Sequence, residues 1–143
     1  MVDSLLLDVQ SAAERAVSIS RSRAGSTLDY SPSSFSVVEE MLTEAHKYVA
    51  GLEPSQIDGL ITSIGSYLLE SARRTVGGTY RWLEKQKQPV LIVGEPAFHV
   101  ALATFDKVRG RLMGDPGDNI PFHMDGFMAR AKQARAGDKV LFI

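Results

Sequence analysis

The side chains best placed to do chemistry lie in one stretch, Tyr67-Leu68-Leu69-Glu70-Ser71-Ala72-Arg73-Arg74. On a helix Glu70 and Arg74 stand i,i+4 in the favourable order, and Tyr67 and Arg73 lie one turn to either side of Glu70. Such a cluster suits a preorganised polar site in which Arg73 grips a carboxylate or phosphate. The same spacing also describes a plain helix ion pair worth a few tenths of a kcal/mol, and the residues alone favour that simpler reading. No second carboxylate falls within the motif, so a general acid–base pair is not visible.

Other chemistries find less support. The chain has no cysteine, which removes thiolate nucleophiles, disulfides and zinc–cysteine sites. His46, His99 and His123 are scattered without the i,i+3 or i,i+4 pairing of a helical metal site, and the Asp118, His123, Asp125 group lacks the ligand spacing of any metal class. No cofactor and no metal are expected. The nucleotide and hydrolase fingerprints G-x-G-x-x-G, G-x-x-x-x-G-K-[ST] and G-x-S-x-G are missing. Arg81 and Trp82, with Lys85, Lys87, Arg109 and Arg111, match a nucleic-acid stacking platform only weakly, because Trp82 is the single tryptophan and strand aromatics usually pack inward.

The elements that must position these groups follow from period and punctuation. Apolar residues at helical spacing (Leu5, Val9, Ala12, Ala16, Ile19) mark a helix over residues 3–24, broken by Gly25-Ser26-Thr27. It reads as core packing, or as a peripheral helix for a dimer or partner, since its alanines permit close approach. Ser31-Pro32 opens a second helix that stops at Gly51. Glu53-Pro54-Ser55 opens a third, with Asp58 placed as a capping-box acid to Ser55. Ile57, Leu60, Ile61, Ile64, Leu68, Ala72 and Val76 form its stripe, and Gly77-Gly78 cap its end.

Beyond the glycine pair the period becomes two. Residues 79–83 and 90–93 read as strands joined by a charged turn, and residues 98–102 as a third strand. Thr104 is positioned to cap a short helix, Asn119 and Pro121 to start another, and residues 139–143 to form a terminal strand. The expected class is α+β: three N-terminal helices, then a small antiparallel meander with two further short helices and a C-terminal strand.

The 143 residues suit one domain over 1–143, with its core in 28–143. Hydrophobic residues make up 44% and charged residues 23%, a globular balance. The net charge of -1 gives no bulk attraction to nucleic acid or membrane. Residues 1–69 hold four basic and nine acidic side chains and residues 70–143 twelve and eight, so the two halves differ in sign. No signal-like leader or membrane-length apolar run is present, and cytoplasmic residence is the expectation.

The string Asp29-Tyr30-Ser31-Pro32-x-Ser34-Phe35, with the Tyr67, Glu70, Arg73 series running into Gly77-Gly78, resembles a family of small uncharacterised bacterial proteins. Its members share a D-Y-S-P-x-S-[LF] helix start and a Y-x-x-E-x-x-R segment leading to a glycine pair. The likeness extends over about residues 28–113, to the helix near Val108. It implies no established reaction. Members similar to stand-alone domains beside toxin or secretion genes imply an immunity or adaptor role, with Glu70 and Arg73 as the recurring polar pair.

The leading expectation is therefore a non-catalytic interaction protein, with Glu70, Arg73, Arg74, Tyr67 and Tyr80 as candidate ligand- or partner-binding residues. Tyr30 and Tyr48 join them if exposed, because interfaces favour tyrosine and arginine. The alternative is a small-ligand binder or small enzyme using Glu70, Arg73 and His123 in a cleft between helices and sheet. A homodimer is compatible with either.

Overall fold

The computed structural model describes residues 3–23 and 28–143, so the expected Gly25-Ser26-Thr27 break lies outside the described residues. Helices α1 (Ser4–Ser20), α2 (Phe35–His46) and α3 (Pro54–Val76) precede strands β1 (Thr79–Leu83), β2 (Gln88–Val93) and β3 (His99–Leu102). Helices α4 (Phe105–Leu112) and α5 (Ile120–Gln133) follow, then β4 (Lys139–Phe142). The class is α+β, as the period change after Gly77-Gly78 implies. Among the described residues no helix is long and apolar enough to cross a membrane.

Strand order in the sheet is β1-β2-β3-β4. The first three strands form the expected antiparallel meander, with Tyr80 opposite Leu91 and Ile92 opposite Ala101. The sheet as a whole is mixed, because β4 pairs parallel to β3, with Val100 opposite Val140. A parallel neighbour needs a crossover of a dozen or more residues, and α4 with α5 supplies it.

The helices lie on one face of this sheet. Leu91, Val93, Val100 and Leu102 join Ile61, Ile64, Leu68, Phe127 and Met124 in the main core. Helix α1 is part of that core. It packs chiefly on α3, and its buried Val9, Ala13, Ala16 and Val17 fill the contact. Most of its apolar stripe is thus covered within the fold, while Ile19 at its end stays 41% exposed. Helix α3 is buried continuously from Ser63 to Ala72, as befits a central helix enclosed on several sides.

Three caps differ from the sequence expectation. At the start of α3 Pro54 takes the first helical position, so Glu53 is the N-cap and its N–H donates to Gln56 Oε1 at 2.8 Å. Ser55 and Asp58 make no box. The Ser31 hydroxyl bonds Asp29 and Ser33 rather than a helix N–H. Thr104 precedes α4 but donates across the core to the Gly65 carbonyl at 2.7 Å, which ties α3 to α4. Asn119 does cap α5, accepting from the Phe122 N–H at 2.9 Å.

Candidate functional site: a buried carboxylate hub and an open sheet face

Glu70 is fully buried in the middle of the molecule. Its Oε1 accepts from Arg73 Nε and from the Tyr80 hydroxyl, each at 2.8 Å. Its Oε2 accepts from Arg73 Nη2 at 2.9 Å, and from Arg74 Nε and Gln10 Nε2 at 3.2 Å each. These five donors more than fill the roughly four lone-pair directions of a carboxylate. Burial alone would raise the Glu70 carboxyl. Donation from Arg73, Tyr80, Gln10 and Arg74 outweighs it and holds the group at about 2. The pairing with Glu70 raises the Arg73 guanidinium further. Burial, then the bond to Glu70, raises the Tyr80 phenol.

A carboxylate so saturated holds its proton acceptors inward and has no free site for a substrate. Its donors come from α1, α3 and β1, so the hub staples three elements together. Tyr67 is also fully buried. It accepts from the Tyr30 N–H at 2.8 Å and lies 2.6 Å from Ser34 Oγ. This fixes Tyr30, whose φ of 66° is unusual for an aromatic residue. Arg74 is 46% exposed at its side chain, and its guanidinium lies 3.6 Å from the centre of the Tyr30 ring.

The five candidate residues thus do come together, but in two roles. Glu70, Tyr67 and Tyr80 are sealed inside, and Arg73 and Arg74 reach the surface from the hub. Tyr48 is exposed and belongs to another region. His123 is not part of the cluster. Its Nε2 lies 3.3 Å from the Ala103 carbonyl and its ring packs edge-on against Phe142 of β4. Tyr80 sits on β1, the opposite edge of the sheet, three strand spacings or roughly 14 Å away. A Glu70–Arg73–His123 cleft is therefore not built. His46 and His99 are engaged separately, with the Leu112 carbonyl and Glu95. Among the described residues no three metal-ligating side chains converge; the Asp118 side chain lies outside that description.

If the hub is a staple, Tyr80→Phe removes one of its donors and leaves the others. The expected loss is about 1–2 kcal/mol of unfolding free energy, read by urea denaturation with an unchanged m-value.

A second region is less enclosed and chemically different. On the sheet face away from the helices, Val90, Ile92, Ala101 and Ala103 form a separate apolar cluster with Leu83, and no helical residue joins it. Val90, Ile92 and Ala101 floor a groove of about 510 Å³. Arg81, Trp82 and Leu83 of β1 border it on one side, and Lys139 and Leu141 of β4 on the other. Leu141 is 48% exposed. Arg81 and His99 both contact Glu95; Lys139 pairs with no acid among the described residues.

This face carries no polar constellation in the sequence. Its signal was the unbroken run Val90-Leu91-Ile92-Val93, which puts apolar residues on both sides of one strand. Helices cover only one of those sides. A one-sided antiparallel sheet normally alternates apolar and polar residues, and β2 does not. No protein-family model, curated protein or solved structure matches the chain.

Proposed function

We propose that this domain is a non-catalytic interaction module, immunity-like or adaptor in type, that seats an acidic amphipathic helix of a partner protein on the open face of its sheet. The observation that carries the reading is the groove floored by Val90, Ile92 and Ala101 between cation-bearing rims. A helix is about 10 Å across with its side chains, and four strands span roughly 14 Å, so one helix fits between the β1 and β4 rims. Apolar side chains of the helix would meet the floor. Its flanking acids would meet Arg81 and Lys139. Face-to-face stacking of two copies would instead bring together two cation-rimmed faces, with Glu95 already in contact with Arg81 and His99. The immunity or adaptor role rests on the motif resemblance; the bacterial and cytoplasmic setting belongs to the same proposal.

The test is affinity capture from source cells with the full chain and with Lys139→Glu and Leu141→Glu, followed by cross-linking of the retained protein. Both residues lie on the exposed edge strand, so the fold should tolerate the changes within about 0.5 kcal/mol. The expected result is a stoichiometric partner whose acidic helix cross-links to Lys139, with at least tenfold weaker retention by each variant. An empty capture, retention unaffected by both variants, or cross-links confined to α1 and α2 would overturn the reading.

A further inference from the structure

Three serines of α3 behave differently. Ser63 and Ser71 return their hydroxyls to the helix, donating to the Leu60 and Tyr67 carbonyls. Ser66 is only 2% exposed, and its hydroxyl bonds to no described residue. It lines a cleft of about 390 Å³ between α1, α3 and the β1–β2 hairpin. This cleft lies on the helix side of the sheet and shares only Trp82 with the open-face groove.

The cleft has a distinct chemical layout. Trp82, 50% exposed, forms an aromatic wall with Phe105 and Pro89. Asp8 and Arg15 line it from the same face of α1. They stand two turns apart, a rise of about 10 Å. Neither is paired with any described residue. An anion and a cation thus line an apolar, partly aromatic slot, with a hydroxyl between the helices. The volume falls within the usual range for small-molecule pockets, roughly 300–1,000 Å³.

The geometry points to a binding site for a small zwitterionic aromatic molecule, its ring against Trp82, its carboxylate on Arg15 and its amine on Asp8. A benzene ring with para amine and carboxylate arms, with a hydrogen bond of about 3 Å at each end, reaches roughly 13 Å, a span that the about 10 Å backbone rise and the long Arg15 side chain together can meet. A ring on the Trp82 indole gains the offset stacking that an aliphatic ligand lacks. The Ser66 hydroxyl supplies a further polar contact from the α3 side. Lys87 at the mouth already pairs with Glu84 at 3.0 Å and adds little selectivity. The inference is independent of the partner-helix reading, since no residue of the open-face floor contributes to it.

Trp82 is the one tryptophan of the chain and borders both this cleft and the open-face groove, so its emission is assigned to the cleft by its dependence on Asp8 and Arg15, which line only the cleft of the two. The probe is 4-(aminomethyl)benzoate, titrated against the full chain and compared with benzoate and benzylamine. The expected result is a Kd at or below about 1 mM with a blue-shifted or quenched Trp82 emission. Each half-ligand should bind at least tenfold more weakly. Arg15→Gln should erase the preference over benzylamine, and Asp8→Asn the preference over benzoate. Both positions are solvent-facing, so thermal melting of these two variants should match the wild type. Ser66→Leu should fill the cleft and abolish the signal. Equal affinity for the three probes, no emission change up to about 1 mM, or preferences that survive Arg15→Gln and Asp8→Asn would overturn the assignment.

Discussion

Glu70→Gln is expected to remove about 3–5 kcal/mol from the unfolding free energy, a large part of the roughly 5–15 kcal/mol of an ordinary domain. The substitution keeps shape and volume but turns one oxygen into an NH2 group. That group would point at the donors that now converge on Oε1 or Oε2. Arg73 and Arg74 have side chains 29% and 46% exposed, so both can swing toward water and recover hydration. The buried Tyr80 hydroxyl cannot. The loss should therefore sit nearer 3 than 5 kcal/mol, with Tyr80 and the β1 edge carrying most of it. Urea unfolding at neutral pH measures it directly. A change below about 1 kcal/mol would mean that the cluster is the ordinary surface ion pair its spacing first suggests.

The same group fixes the acid limb of stability. The Glu70 carboxyl falls from its ordinary 4.5 to about 2 in the folded chain, because its donors outweigh the cost of burial. A depressed carboxyl contributes stability that is complete above the unfolded value and disappears as pH falls through the folded one. The drop is worth about 3 kcal/mol at 1.36 kcal/mol per pH unit. Wild-type stability should thus fall steeply between pH 4.5 and 2, and the Glu70→Gln protein should lack this component. Parallel acid limbs for the two proteins would show that Glu70 is not held in its charged state.

Local structure was legible wherever it depends on nearby residues. Pro32, Pro54 and Asn119 mark helix starts because the cost of a missing N–H or an unmet cap is settled within one turn. The change of period after Gly77-Gly78 locates the strands for the same reason. What stayed hidden depends on distant chain. Glu70 lies off the apolar stripe of α3, so periodicity assigns it to solvent. It is buried because Gln10, 60 residues earlier, and Tyr80 complete its shell. Thr104 reads as a helix cap, yet its hydroxyl is drawn to the carbonyl of Gly65, 39 residues away. A bare Cβ on Gly65 would come within 2.5 Å of the Phe105 ring, so the close α3–α4 approach needs glycine there. The open face occupies a middle position. Its apolar run is visible in the sequence, but only the three-dimensional arrangement shows which side the helices leave bare.

Gly77 and Gly78 look alike in sequence, and their replacement by alanine should separate them sharply. Gly77 has φ +81° and its N–H donates to the Arg73 carbonyl at 2.8 Å, closing α3. A Cβ there meets nothing within 4 Å, so Gly77→Ala should cost only the strain of a φ +81°, ψ -163° backbone that essentially glycine alone adopts, about 2 kcal/mol. Gly78 has φ +112° and sits against the neighbouring strand. A Cβ on it would lie 2.7 Å from the Ile92 carbonyl oxygen, 3.0 Å from Leu91 Cδ1 and 3.1 Å from Val93 Cγ2. The oxygen is backbone and cannot rotate away. Gly78→Ala must therefore push β1 off β2 at the Thr79–Ile92 pair, or force the glycine dihedral to change. The expected cost is about 3 kcal/mol or more. Because β1 carries the Arg81 and Leu83 rim, that variant should also weaken any partner seated on the open face, while Gly77→Ala should not. Equal, small effects on stability from the two substitutions would mean that both glycines serve the helix end alone. A large effect confined to Gly78 would show that the chain's one glycine pair both caps α3 and lets β1 approach β2.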